Sequence, residues 1–165
     1  MTRGTRPAGG GEPTEWLTSD ELDSWLSLVR LITWLPWSID QQLQRDSRLW
    51  MVEYQALAML AESPDRTMRM SSLADMTNVS LSRLSHLVKR LEVRGLVRRE
   101  SDARNGRFTN AILTDAGHEL LAEAAPKHVA HVRSIVIDVL TPSQLRLLGR
   151  DAERIMAHID TSVIN

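Results

Sequence analysis

Residues 71–107 constrain the fold more than any other part of the chain, because they describe two helices joined by a tight turn and followed by a basic hairpin. From Leu81 to Leu91, apolar residues recur every three or four positions, which is typical of a helix seated on a core through one side. The other side carries hydroxyl, imidazole, ammonium and guanidinium groups, from Ser82, Arg83, His86, Lys89 and Arg90. Such groups suit phosphates and base edges, so the run predicts a helix that reads double-stranded DNA.

Local signals set the limits of this unit. We expect a turn at residues 77–79, an N-terminal cap at Ser80 and a left-handed stop at Gly95. Two strands are predicted over residues 96–100 and 108–113. Between them, Asn105-Gly106 predicts a two-residue hairpin, because both residue types tolerate positive φ. That turn would place the two arginines that flank it, Arg104 and Arg107, at the hairpin tip.

Helical patterns flank this unit on both sides. A first helix is expected from Thr18 or Ser19, kinked or interrupted at Pro36 and resuming over residues 38–45, and a second over residues 50–61. Residues 67–70 are a short strand at best, and residues 71–76 form one or two helical turns. Thr114 is expected to cap a long helix to about Val139, bent near Pro126. A capping box at Thr141 then begins a last helix with a narrow apolar stripe.

The first helix is apolar on more than one face between Leu22 and Ile32, so it must be buried on several sides. In a chain of 165 residues, a partner subunit is the expected cover. The predicted fold class is therefore mainly α with a small β-hairpin: a winged helix-turn-helix lobe flanked by N- and C-terminal dimerisation helices. The expected organisation is an arm over residues 1–14 and one domain over residues 15–165. Within that domain, residues 49–114 form the lobe, and residues 15–48 and 115–165 form the dimerisation helices.

The charge is unevenly distributed. The net charge of the chain is only −1, but residues 80–109 hold eight basic and three acidic side chains, a balance of +5. Residues 12–62 hold three basic and nine acidic side chains, a balance of −6. A surface charged in this way would turn its basic lobe toward a polyanion and keep its acidic lobe away.

The composition of the chain indicates the cellular compartment in which the protein works. The chain has no cysteine, which excludes disulfides and thiolate metal sites and fits a reducing cytoplasm. No segment is apolar for long enough to cross a bilayer, and a signal-peptide core is not evident, so no membrane partner is expected. The Gly- and Pro-rich residues 1–14 are interpreted as a disordered arm, either without function or touching DNA through Arg3 and Arg6.

At this point the chain resembles the multiple-antibiotic-resistance-regulator (MarR) family of bacterial transcription regulators. The resemblance covers residues 50–120 in the family's order. Its matching pieces are Glu53-Tyr54-Gln55-Ala56-Leu57, Ser72-Leu73-Ala74, residues 80–91, Glu92-Val93-Arg94-Gly95-Leu96, Asp102-Ala103-Arg104 and Leu113-Thr114-Asp115-Ala116-Gly117. The resemblance implies a homodimer that places one recognition helix per subunit in the major groove and one wing in the minor groove.

Carried over by position, residues 80–90 would be the recognition helix, Arg104 the minor-groove residue and Asp102 the acid that braces the wing. The complete set of expected DNA-binding residues is Ser80, Ser82, Arg83, Ser85, His86, Lys89, Arg90, Arg104 and Arg107. Ser82, Arg83 and His86 are expected at base edges, because the N-terminal half of a recognition helix lies deepest. Ser80, Lys89 and Arg90 are expected at phosphates, whereas Arg94, Arg98 and Arg99 are equally well read as surface charges.

The five tryptophans lie in or beside the first helices, and their clustering has two interpretations. They either pack in the core and dimer contact, or they line a pocket for a small aromatic ligand, which the resemblance raises because many members release DNA on binding aromatic acids. Trp16, Trp25 and Trp50 are the pocket candidates. His118, His128 and His131 lack a fourth ligand at helical spacing, so neither a metal nor another cofactor is predicted.

The predicted function is a homodimeric, sequence-specific transcriptional regulator, in first place a repressor of a pseudo-palindromic operator. The chain shows no set of nucleophile, base and orienting residue, so it is not expected to be an enzyme. The main alternative is a winged helix used as a protein-interaction module without specific DNA binding. A dimerisation domain of an enzyme would require a catalytic domain that is not evident in the sequence, and RNA binding would require exposed stacking aromatics that the polar face lacks.

Overall fold

The computed structural model describes residues 15–102 and 105–163, with side chains to Ile159. The expected N-terminal arm and the predicted minor-groove residue Arg104 therefore lie outside the described residues. The helices are α1 (Ser19–Ser47), α2 (Met51–Glu62), α3 (Met70–Met76), α4 (Leu81–Val93), α5 (Asp115–Val132) and α6 (Pro142–Val163), and the strands are β1 (Thr67–Arg69), β2 (Val97–Ser101) and β3 (Thr109–Leu113).

The protein is mostly helical with one small antiparallel sheet, which confirms the predicted fold class. The sheet has three strands in the order β1-β3-β2, so the short segment before α3 completes it as an edge strand. β3 pairs with β2 from Val97↔Leu113 to Ser101↔Thr109, and with β1 from Thr67↔Ile112 to Arg69↔Asn110. The central strand thus ties the hairpin to the segment that leads into α3.

Helix α1 begins with a reciprocal cap, in which the Thr18 amide donates to the Glu21 carboxylate at 2.7 Å and the Glu21 amide donates to Thr18 Oγ1 at 3.4 Å. The helix runs through Pro36 without a break, so of the two predicted outcomes, a kink or an interruption, the interruption is wrong. A proline removes one backbone hydrogen bond, and in a helix of 29 residues the turns on both sides keep theirs.

The chain divides between Leu35 and Pro36 into two compact units. In the first unit, the part of α1 before Pro36 exposes large apolar side chains on several faces, among them Leu22, Trp25, Leu26, Leu31 and Ile32. This distribution agrees with the sequence pattern, which is apolar nearly all round.

The second unit holds a hydrophobic core beneath α4. Leu84, Leu87, Val88 and Leu91 of α4 are buried against α2, α3 and the sheet. The other fully or almost fully buried residues of this cluster are Leu49, Ala56, Leu57, Leu60, Met70, Leu73, Ala74, Leu96, Val97, Ala111 and Leu113. Leu81, predicted on the apolar side, is instead about half exposed at the first turn of α4.

The junction between the sheet and α5 is unusually close. Thr114 caps α5 by accepting from the Gly117 amide at 3.0 Å, as the sequence predicts, and its own hydroxyl donates to the Gly95 carbonyl at 2.7 Å. A Cβ atom at Gly117 would lie 2.1 Å from the Leu96 carbonyl oxygen. This position therefore requires glycine because the helix approaches a backbone carbonyl, not because of its φ angle.

Helix α5 ends earlier than predicted. Regular α-helix stops at Val132, and a π-helical turn, Arg133–Ile137, takes up the residues that were expected to extend it to about Val139. Pro126 lies inside α5. The predicted capping box at the start of α6 is present: the Thr141 amide donates to the Gln144 side chain at 2.9 Å and the Gln144 amide donates to Thr141 Oγ1 at 3.3 Å.

The hairpin loop also differs from the prediction. The last paired residues are Ser101 and Thr109, so the loop comprises residues 102–108 and not the two residues Asn105-Gly106. The Phe108 amide donates to the Asn105 carbonyl at 3.0 Å, which places Gly106 inside a tight turn near one end of that loop, and Gly106 does not have a positive φ. We call residues 97–113 the wing and residues 102–108 the wing loop.

Candidate nucleic-acid interface

Hydrogen bonds within the chain fix the start of α4. Asn78 has a φ of +52°, a left-handed conformation that asparagine tolerates, and it turns the chain between α3 and α4. The buried Thr77 hydroxyl donates to the Leu73 carbonyl at 2.7 Å and holds the end of α3. Ser80 Oγ accepts from the Arg83 amide at 3.2 Å, which is the predicted N-terminal cap. The predicted turn and cap are thus both present.

The outward face of α4 carries most of the residues that the sequence singled out. Ser80, Ser82, Arg83, His86 and Lys89 are exposed, and Ser85 is partly buried. Because the opposite side of the helix is held by four buried apolar side chains, this polar face has a fixed orientation on the core. The face can offer a row of hydrogen-bond donors to an anionic or polar partner, and its contact with DNA stays a prediction.

Two concave surfaces lie beside this face. One is bounded by α3, α4 and the wing and includes Arg69, Ser71, Ser85, Arg107 and Phe108. The other has a volume of about 650 Å³ and is lined by Asp40, Trp50, Ser82, Arg83 and His86 among others. The predicted DNA-binding residues are therefore divided between the two surfaces. Ser85 and Arg107 line the one beside the wing, whereas Ser82, Arg83 and His86 line the one beside α2.

Arg90 is exposed like its neighbours on this face, but it is held in an ion pair within the chain. Its Nη2 and Nε atoms donate to Glu53 Oε1 at 3.0 and 3.2 Å. Only 4% of the Glu53 side chain is exposed, and its other oxygen accepts from the Trp50 amide at 3.0 Å. Arg90, predicted to bind phosphate, therefore anchors α4 to the start of α2. The sequence separates the two residues by 37 positions, so no local pattern signals this pair.

Several other arginines near the interface are also paired. Arg99 donates from its side chain to Glu92 Oε2 at 2.6 and 3.0 Å, and its amide donates to Glu92 Oε1 at 3.1 Å. These hydrogen bonds hold the pKa of the Glu92 carboxyl below its usual value. Arg98 pairs with Glu100, and Arg94 donates to the Arg48 carbonyl at 2.9 Å. The basic balance of this region therefore overstates the charge that its arginines can offer to a partner.

Asp102 lies at the base of the wing loop and makes polar contacts there, whereas its predicted role beside Arg104 stays a prediction. Its Oδ1 accepts from the Asn105 amide at 3.1 Å, and its Oδ2 lies 3.6 Å from Arg69 Nε. Arg69 also stacks on Phe108, with its guanidinium carbon 4.4 Å from the ring centre. Neither Arg69 nor Phe108 was predicted as a site residue, because their meeting depends on the pairing of β1 with β3. Arg107 is exposed near the end of the loop.

The three predicted pocket tryptophans have different surroundings. Trp50 is half exposed and lines the cavity of about 650 Å³. Trp16 and Trp25 belong to the first compact unit, where 84% of Trp16 and 50% of Trp25 are exposed. Within the second unit, Trp50 therefore lies beside the polar face of α4.

Two of the three histidines that were weighed as metal ligands instead join a polar network within the second unit. His128 Nδ1 lies 3.3 Å from Gln42 Oε1, and the His128 ring contacts Tyr54 with centroids 4.5 Å apart. His131 Nε2 lies 3.1 Å from the Ser38 hydroxyl. Burial, and secondarily the nearby His131, lower the pKa of His128.

Among residues 15–102 and 105–163, no group of three His, Cys, Asp or Glu side chains is arranged to hold a metal ion. Over the same residues, no helix combines the length and apolar character needed to span a membrane.

Comparison with known proteins places this arrangement in a family. The family model described as the MarR family matches residues 49–107, which run from Leu49 of the hydrophobic core into the wing loop. A search of curated proteins found no match. The crystal structure of CouR from Rhodococcus jostii RHA1, solved with p-coumaroyl-CoA, shares the fold with a TM-score of 0.69 at 22% identity, over 82% of this chain and 92% of CouR.

Two structures from Streptomyces coelicolor are more similar. Sco3205, a MarR family transcriptional regulator crystallised in complex with DNA, is 46% identical, with a TM-score of 0.84 over 89% of this chain and 91% of that chain. AbsC, also a MarR family transcriptional regulator, is 38% identical, with a TM-score of 0.85 over 90% of this chain and 99% of that chain. With this identity over nearly the full length of both relatives, the chain belongs to the MarR family of transcriptional regulators.

Proposed function

We propose that this regulator is a cytoplasmic homodimer that represses transcription by binding a pseudo-palindromic operator. The observation that carries the proposal is the polar face of α4, held on a buried core and capped at Ser80, in a chain 46% identical to a regulator crystallised with DNA. Ser82, Arg83 and His86 are the proposed base-reading residues, because they occupy the first half of the helix. Lys89 and Ser80 would contact phosphate, and Ser85 and Arg107 would border the DNA on the wing side.

The apolar surfaces at both ends of the described chain support the dimer. In addition to the apolar part of α1 described above, α6 exposes the large side chains Leu147, Leu148, Ile155, Met156 and Ile159. Large apolar side chains exposed at this density on each of two long helices are typical of surfaces that another protein covers. A second copy would cover it and would place two recognition helices roughly 34 Å apart, one helical turn of DNA.

The arginine and lysine contacts predict how binding should behave. Each phosphate neutralised releases a counterion, so the affinity should fall steeply with salt concentration. Lys89→Ala should weaken binding to any duplex and flatten this salt dependence, because it removes one phosphate contact from each subunit. Lys127→Ala makes the same change of charge at an exposed position on a different helix, α5, and serves as the control.

The test begins with selection of bound sequences from a random DNA pool, followed by anisotropy titration of the enriched duplex. We expect a palindrome with half-sites about one helical turn apart, weaker binding by Arg83→Ala and Lys89→Ala, and parental binding by Lys127→Ala. If the pool yields no enriched sequence and binding is insensitive to salt, the protein is a winged-helix interaction module and not a sequence-specific regulator. Reporter expression from the selected operator, with and without the protein, separates repression from activation.

Release of DNA by a small aromatic acid is the regulatory part of the proposal. The cavity beside Trp50 supports it, because it combines an aromatic ring with Arg83 and His86, whose side chains suit a carboxylate. A ligand there would act only if it favoured a dimer with a different spacing between the recognition helices. Benzoate and hydroxycinnamate are suitable probes: they should lower operator affinity in the parent and have less effect on Trp50→Leu. Equal effects on the two proteins would place any ligand elsewhere.

A further inference from the structure

Arg69 occupies the junction of three elements. It is the last residue of β1 and the residue before the first turn of α3, and its backbone pairs with Asn110 of β3. Its side chain is 48% exposed and extends to the base of the wing loop. There it meets the two residues that begin and end the loop, Asp102 and Phe108. A single side chain thus contacts both ends of the loop from the body of the protein.

The geometry of these contacts defines a clamp, by which we mean Arg69, Asp102 and Phe108 together. Arg69 Nε lies 3.6 Å from Asp102 Oδ2, and the guanidinium carbon lies 4.4 Å above the centre of the Phe108 ring. The Asp102 amide donates to the Phe108 carbonyl at 2.9 Å and closes the base of the loop. The Asp102 side chain is only 13% exposed, so its attraction to the guanidinium is partly shielded from solvent.

A guanidinium suits this position better than an ammonium group does. Its plane can lie on an aromatic ring while its edge faces a carboxylate, whereas a lysine offers a compact charge that cannot do both with the same geometry. Asp102 also accepts from the Asn105 amide at 3.1 Å. Fixing the Asp102 carboxylate therefore orients both the base of the loop and the turn that follows.

We propose that Arg69 is a positioning residue, which holds the wing at a fixed angle to α3 and α4 so that the wing and the recognition helix engage one duplex together. The part of this proposal that concerns DNA rests on the proposed function. Arg69 acts through Asp102 and Phe108 and need not touch the DNA itself. Loss of the clamp should release the wing in the free protein and weaken DNA binding through the wing.

The first test observes the wing without DNA. Because the chain contains no cysteine, Gly106→Cys introduces a unique thiol in the wing loop, at a position where a Cβ meets no atom within 4 Å. A nitroxide attached there should give a restricted spectrum in the parent background and a more mobile one with Arg69→Met. Phe108→Leu should give the same change, and Arg69→Lys should restore part of the restriction.

Arg66→Met provides the matched control, because Arg66 lies three residues earlier and pairs with Asp115 at 3.0 Å instead of with the wing. It should leave the nitroxide spectrum unchanged. If Arg69→Met and Phe108→Leu both fold and both keep the parental spectrum, the clamp does not hold the wing and the proposal is wrong. Should Arg69→Met not fold, Phe108→Leu decides the question by the same spectrum.

The second test measures affinity for the selected duplex by anisotropy. We expect Arg69→Met to bind about three- to tenfold more weakly, from the loss of a cation–π contact and a partly exposed ion pair. The loss of affinity should be smaller in an Arg107→Ala background, because displacing the wing costs less once its Arg107 contact with DNA has been removed. A parent that binds no duplex would overturn the proposed function and leave the nitroxide result standing. A parent that binds, with Arg69→Met equally tight, would overturn the role of the clamp in DNA binding.

Discussion

Replacing Gly117 by alanine should destabilise the protein far more than a single methyl group normally does. The new Cβ would lie 2.1 Å from the Leu96 carbonyl oxygen and 2.7 Å from a methyl group of Leu113, against an optimal separation of roughly 3.5 Å. The first neighbour is backbone and cannot rotate away. The same carbonyl accepts from the Thr114 amide at 3.1 Å, so moving it also strains the hydrogen bond that precedes α5.

The expected cost is the sum of three effects. Overpacking a tight site costs about 1–3 kcal/mol, and loss of the Thr114 hydrogen bond costs about 1 kcal/mol more. Alanine returns up to about 1 kcal/mol through its higher helix propensity. We therefore expect a net loss of about 1–4 kcal/mol in the free energy of unfolding, which lowers the melting temperature by about 2–15 °C in a chain of this size.

Urea unfolding followed by circular dichroism measures this change, with two other glycine-to-alanine variants as controls. Gly149 lies within α6 and Gly106 within the wing loop, and a Cβ at either position meets nothing within 4 Å. Gly149→Ala should raise the stability by about 0.5–1 kcal/mol, and Gly106→Ala should change it little. If Gly117→Ala unfolds within 0.5 kcal/mol, roughly the range of a neutral surface change, the argument from close approach is refuted.

Three further outcomes follow from charge and burial. Arg90→Ala should lower the stability by about 1–3 kcal/mol, because it leaves the buried Glu53 without its partner, and Glu53→Gln in the same chain should recover part of this in urea unfolding. Since burial lowers the pKa of His128 below its usual 6.5, the unfolded chain binds a proton first, so the stability should fall as the pH drops below 6.5, and His128→Asn should flatten that slope. The pKa of Glu92 is lowered by Arg99, so this pair stabilises the fold above pH 4.5 and loses its effect as the pH falls further; Arg99→Met should remove that part of the acid transition.

The features that could be predicted from sequence are those whose cause lies within a few residues. Ser80, Thr114 and Thr141 bond to amides three positions away, and the asparagine turn at residue 78 depends only on its own backbone. The polar face of α4 was predictable for the same reason, because apolar residues at helical spacing decide which side is buried. These local causes are sufficient to recover the order of the elements and the exposed polar face of α4, whose contact with DNA stays a prediction.

The features that could not be predicted depend on contacts distant in sequence. The ion pair of Arg90 was not predicted, because its partner Glu53 lies on another helix. The hairpin was expected to turn at Asn105-Gly106, yet the loop is longer because Asp102 and Phe108 are engaged with each other and with Arg69. An interruption of α1 at Pro36 was one of two expectations, because the local sequence indicates the hydrogen bond that proline removes but not those that a long helix retains on both sides.

The wing leaves and rejoins the body of the protein at nearly one point. Val97 pairs with Leu113, and the Thr114 amide donates to the Leu96 carbonyl, so the ends of the wing are adjacent whatever lies between them. A change of length within residues 102–108 therefore alters how far the wing reaches without displacing α4 or α5. If the proposed mode of DNA binding holds, the reach of the wing and recognition by α4 can vary independently, and a chimera that exchanges only the wing loop should keep its host's operator spacing.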